Sequence, residues 1–126
     1  MGLTSIKAIV SNASDPERSF EHTFLIDTGS VLSFAPRDKL ASIGIIPLRK
    51  ETFRQMNGTL IEGEVGRALI RIAGKEEVVP IVLGEPSDAA VIGVVALEAM
   101  ALGLDPTSGE LRPVTLLAVS ARPPRD

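Results

Sequence analysis

Read along its hydrophobic and polar positions, the chain is a succession of short strands between turn signals. Ile6, Ala8 and Val10 alternate with polar neighbours, as in a half-buried strand. Asn12-Ala13-Ser14-Asp15-Pro16 is a turn cluster. Phe20 to Ile26 predicts a second strand, wholly apolar at Phe24-Leu25-Ile26, and Val31 to Phe34 a short third. Pro36 opens a short helix over Arg37 to Ser42, because proline suits the first helical turn, and Gly44 ends it. Leu48 to Met56 and Thr59 to Ile72 read as two strands joined at Asn57-Gly58, a strong hairpin signal. In the second arm Ala68, Ile70 and Ile72 fall on one face and Arg67 and Arg71 on the other. Ala73-Gly74-Lys75 is a further turn and Val78 to Leu83 a further strand. Ala96 to Leu102 predicts a second helix, and Asp105-Pro106-Thr107-Ser108-Gly109 a turn. Leu111 to Ser120 predicts a last strand, with Pro113 marking an edge or a strand start. The sum is a mostly β fold with two short helices, residues 1–120 forming one domain and 121–126 a flexible tail.

Composition narrows the chemistry. The chain has 126 residues, room for one domain, and 44% are apolar, which argues against disorder. It has no cysteine, so disulfides, thiolate metal sites and cysteine nucleophiles are excluded. The one histidine, His22, has no partner for a histidine-rich metal cluster, and no metal or other cofactor is expected. A net charge of −3 and the absence of Tyr and Trp argue against nucleic acid as a partner. The apolar run from Ala89 to Leu97 stops at Glu98, well short of the ~20 residues that cross a bilayer, so no membrane partner is expected. The first residues, Met1 to Ile6, do not read as a signal peptide, and a soluble, cytoplasmic protein is expected.

The segment that carries chemistry is Phe24-Leu25-Ile26-Asp27-Thr28-Gly29-Ser30. Three bulky apolar residues run into a carboxylate, a small hydroxyl and a glycine. Aspartate is rarely buried unless paired or hydrogen-bonded, and here it stands where a buried strand stops. Gly29 lets the chain turn sharply and present backbone N–H groups, which with the Thr28 and Ser30 hydroxyls can hold the carboxylate in a fixed plane. Taken alone, Asp27-Thr28-Gly29 is equally an ordinary turn after a strand. Its surroundings change that reading: a hairpin follows, and then an apolar-apolar-glycine unit, Val91-Ile92-Gly93, leading into a helix.

That order resembles the retroviral-type aspartic proteases, the retropepsin family, over nearly the whole chain. The run from Ile92-Gly93 through Leu97-Glu98 to Gly103-Leu104-Asp105-Pro106 is similar to the non-viral, cellular members. The resemblance implies a small, closed, barrel-like retropepsin fold with a flap hairpin, and an aspartic endopeptidase acting on extended peptide or protein substrates. It implies Asp27, Thr28 and Gly29 as catalytic residues and Ser30, Met56, Asn57, Gly58 and Ile92 as substrate-binding residues. The flap would span Phe53 to Ile61 with Gly58 near its tip. Retroviral members commonly carry acidic residues just after the triplet and arginine just after the second glycine. Here those places hold Val31, Leu32 and Val94, so the charged network is missing.

Peptide hydrolysis by carboxylates needs two of them sharing one proton. The chain has six aspartates, and none but Asp27 is followed by Thr-Gly or Ser-Gly. A two-fold homodimer supplies the second carboxylate, Asp27 of one subunit meeting Asp27 of its mate. In the family, terminal strands of both subunits interleave; the candidates are Leu3 to Val10 and Leu111 to Ser120. An alternative is a dimeric binding or assembly module of the same fold that no longer cleaves; another is a small monomeric β-barrel unrelated to proteases. His22, five positions before Asp27, points to the opposite strand face and reads as a surface residue. Glu62 and Glu64 read as a solvated face rather than a metal pair.

Overall fold

The structure is a computed structural model that describes residues 4–119 and 123–124. β1 (Ser5–Asn12) and β2 (Asp15–Ile26) form an antiparallel hairpin, Ser5 opposite Leu25 and Val10 opposite Phe20. The turn is tighter than the cluster at residues 12–16 predicts: Asp15 and Pro16 already belong to β2, because Asn12 Oδ1 accepts the Ser14 N–H and closes the reversal at Ala13-Ser14. β3 (Ser33–Pro36) runs into α1 (Arg37–Ser42), the helix bounded by Pro36 and Gly44 as expected. β4 (Arg49–Arg54) pairs antiparallel with β5 (Leu60–Ile72), which pairs in turn with β6 (Lys75–Gly84). β7 (Val91–Ile92) precedes α2 (Val94–Ala99), and β8 (Leu102–Leu104) pairs with β9 (Leu111–Pro113).

The main sheet has the order β1-β2-β7-β3-β6-β5-β4, and β1 also pairs with β5, Val10 opposite Ile70, so the strands close into a ring. The closure buries one face of every ring strand. Val10, Phe24, Ile70, Ile81 and Ile92 have 0% exposure, and each such side chain contributes about 1.5–3 kcal/mol. Ala68, Ile70 and Ile72 face this core while Arg67 and Arg71 face solvent, as the alternation requires. Leu32, Val65 and Val82 form a second, smaller cluster, packed against Phe34 and Phe53.

Three predicted elements are corrected. The third strand begins at Ser33, not Val31, because the carbonyls of Ser30 and Val31 accept the N–H groups of Val94 and Val95 and hold that stretch out of the ladder. The second helix spans Val94–Ala99 rather than Ala96 to Leu102; Ala101, at φ 53, breaks it and turns Leu102 into β8. The last strand stops at Pro113, since β8 is only three residues long and is preceded by the left-handed Ala101, whose carbonyl accepts a final bond from the Val114 N–H at 2.9 Å. Residues 114–119 have no regular structure and leave Leu117 and Val119 exposed. Leu3, Ser120 and most of the expected tail lie outside the described residues. His22 is half-buried rather than superficial, its ring edge-on to Phe20 and Phe24.

Candidate active site

The parallel pairing of β2 with β7 places Asp27. Leu25 lies opposite Val91 and Ile26 opposite Ile92, and the Asp27 N–H continues the ladder by donating to the Ile92 carbonyl at 3.0 Å. Ile26 is buried, Asp27 is exposed, and the chain leaves the sheet between them. The Ser30 N–H donates to the Asp27 carbonyl at 3.1 Å, closing a turn. The Gly29 N–H donates to Asp27 Oδ1 at 2.9 Å and fixes the carboxylate. The expected side-chain bracing differs. The Ser30 hydroxyl donates to the Leu32 carbonyl at 2.7 Å, stiffening the loop rather than the carboxylate, and the Thr28 side chain is exposed. Among the described residues Asp27 has no ion pair.

Gly93 locks this loop from below. A β-carbon there would stand 2.6 Å from the Leu32 carbonyl oxygen and 2.7 Å from that of Ser30. Two backbone segments therefore cross at a distance only glycine permits. The Gly93 N–H donates to the buried Ser33 hydroxyl at 3.0 Å, tying the crossing together.

Above Asp27 opens a cleft of about 510 Å³. Asp27, Gly29, Ser30 and Val31 form one side, Phe34, Ala89 and Val91 another, and the β4–β5 hairpin overhangs it with Phe53, Met56 and Ile61. Its lining is largely apolar, with Arg54 and Asp88 as the charged groups besides Asp27. The hairpin tip is a three-residue loop. Gln55 donates to Thr59 and accepts from Gly58, which takes φ +86, whereas Asn57 is not among the residues with positive φ. Asn57-Gly58 is thus not the central pair of a two-residue type I′ turn; glycine occupies the left-handed position of a bulged loop.

Of the expected substrate-binding residues, Ser30 and Met56 line the cleft. Asn57 and Gly58 do not: Asn57 Oδ1 accepts the Thr59 N–H at 2.8 Å and both residues shape the tip. Ile92 is a correction, since its side chain is fully buried and its carbonyl serves the Asp27 N–H instead. Its neighbour Val91 reaches the cleft, as strand alternation dictates. Phe53 and Ile61 are cross-strand partners, so the hairpin register alone places them on one face. Phe34, Ala89 and Asp88 carry no sequence signal for the cleft; only the ring topology brings them there.

No family model and no curated protein matches the chain. Solved structures do. The protease of simian foamy virus (mac), solved in solution, matches with a TM-score of 0.53 at 12% identity, over 75% of this chain and 92% of that one. The EIAV protease, solved with the inhibitor HBY-793, matches with a TM-score of 0.53 at 14% identity, over 77% of this chain and 86% of that one. The mostly β, closed, barrel-like fold is thus the retropepsin-like fold of retroviral proteases. No helix among the described residues is long and apolar enough to cross a membrane.

Proposed function

We propose that this chain is an aspartic endopeptidase that works as a homodimer. One observation supports the reading above the rest: within a fold shared with retroviral proteases, the Asp27 carboxylate is pinned by the Gly29 N–H at the edge of an apolar cleft under a hairpin. One carboxylate cannot act as both acid and base in one step. With Asp27 of a second subunit beside it, the two share a proton, because like charges so close cannot both ionise. The ionised Asp27 takes a proton from water as the water oxygen attacks the peptide carbonyl carbon. The protonated Asp27 donates to the carbonyl oxygen. The tetrahedral diol collapses as the now protonated carboxyl gives its proton to the amide nitrogen, the C–N bond breaks and a diol hydroxyl passes its proton to the ionised carboxylate, which leaves the dyad with one proton. Gly29 orients the carboxylate, Thr28 lies on its exposed side, and Ser30 and Met56 border the bound peptide. An extended apolar substrate would lie along the cleft against the hairpin by strand addition. The chain's likeness after Gly93 to cellular members supports a role outside viruses.

The test is incubation of the purified protein with unstructured peptides between pH 4 and 7. Pepstatin-sensitive cleavage is expected, and Asp27→Asn should lower it at least about a hundredfold with an unchanged melting curve. Equal activity in Asp27→Asn refutes the assignment. Dimers that cleave nothing point instead to a binding or assembly module.

A further inference from the structure

The β4–β5 hairpin leaves the body at one point. β5 pairs with β6 only from Val65 to Ile72; beyond Val65, toward the tip, its partner is β4 alone. A two-stranded arm is marginally stable by itself and must be docked to hold one orientation. The structure docks it twice. Near the cleft, the Phe53 ring of the arm lies 5.6 Å from the Phe34 ring of the body. At the root, Arg37 Nη1 contacts Glu64 Oε1 at 2.8 Å, and Glu64 is the first residue of the arm beyond the β6 pairing. Arg37 is itself fixed to the body. Its Nη2 meets Glu85 Oε1 at 3.1 Å and its Nε donates to the same oxygen at 3.2 Å, while Nη2 also donates to the Leu83 carbonyl at 3.4 Å. One planar guanidinium therefore bridges the base of α1, the end of β6 and the arm.

We propose that Arg37 is a positioning residue that sets the angle of the hairpin over the cleft. A second cavity, about 290 Å³, lies between Arg37 and the arm, and it shares Phe34, Phe53, Ile61 and Asp88 with the Asp27 cleft. The two spaces have common walls, so a change at the root alters the width of the cleft without touching Asp27. The side chains of Arg37 and Glu64 are 37% and 34% exposed, so the bridge adds little to global stability. A small energy acting on a marginal arm still shifts its open and closed populations. The consequence for substrate rests on the proteolytic reading; the arm's orientation does not.

Amide hydrogen exchange of the full chain without substrate tests this. In Arg37→Gln and in Glu64→Gln, amides from Thr52 to Ile61 should exchange roughly two- to fivefold faster, while those of Ile70 and Ile81 stay at the wild-type rate. High salt should speed the arm of the wild-type protein more than the arms of the variants, since only the former has the Arg37–Glu64 pair joining arm to body, whereas the Lys50–Glu62 pair within the arm is common to all three. If Arg37→Gln fails to fold, Glu64→Gln decides alone. Arm exchange at the wild-type rate, or acceleration spread evenly through arm and body, overturns the proposal. With a cleavable peptide, Arg37→Gln should raise KM by a similar factor at constant kcat. An absence of cleavage in every form counts against the protease reading and leaves the exchange result standing.

Discussion

The buried Ser33 hydroxyl accepts the Gly93 amide at 3.0 Å, joining residues sixty positions apart. Ser33 is 1% exposed. This bond holds together the crossing on which Asp27 rests, since the Asp27 amide uses the carbonyl of Ile92, immediately before Gly93.

Ser33→Ala removes the acceptor and strands a buried amide. A lost bond of this kind costs about 1–3 kcal/mol, more than the bond itself contributes, because the orphaned group is not rehydrated. Urea unfolding should show that loss with an unchanged m-value. The same variant should also loosen the loop from Asp27 to Leu32, read as faster amide exchange at Gly29 and Ser30.

How far this arrangement was legible in the sequence depends on where the information lies. The Asp27 turn, the Gly93 unit and the Pro36–Gly44 bounds of α1 are local, and local chemistry announced them. The expectation for Ile92 differs from the structure by one step of parity: in a period-two element, the residue beside a cleft-facing Val91 points into the core. The start of α2 depends on carbonyls of Ser30 and Val31 sixty-odd residues earlier, which no window around Val94 contains. The strand expected from Leu111 to Ser120 has apolar residues enough, but β8 offers it only three partners. The local sequence places Arg37 in a helix; its reach to Glu64 and Glu85 is a product of the ring.

The β5–β6 turn carries a removable strain. Ala73 at φ 53 and Gly74 at φ 79 are both left-handed, the mark of a type I′ turn. A residue with a β-carbon costs roughly 1–2 kcal/mol in that region, and asparagine tolerates it best because its side chain bonds locally. Ala73 is exposed, so a larger side chain meets solvent. Ala73→Asn should therefore stabilise the fold by about 0.5–1 kcal/mol and raise Tm by a few degrees in calorimetry. Because the site is remote from the cleft, peptide cleavage should not change.

Subunit mixing separates a two-chain dyad from any one-chain mechanism. Suppose wild-type and Asp27→Asn chains are denatured together, refolded and allowed to pair at random. Asparagine can neither hold the shared proton nor take one from water, so a mixed pair lacks half the acid–base couple. Only pairs with two Asp27 cleave, and their share is the square of the wild-type fraction. An equimolar mixture should then retain about a quarter of the activity of the same total wild-type protein, where a mechanism confined to one chain would retain about half. The contrast persists across mixing ratios, so a plot of peptide cleavage against wild-type fraction is curved in the first case and straight in the second. A straight line would mean that Asp27 finds its second proton carrier within its own chain.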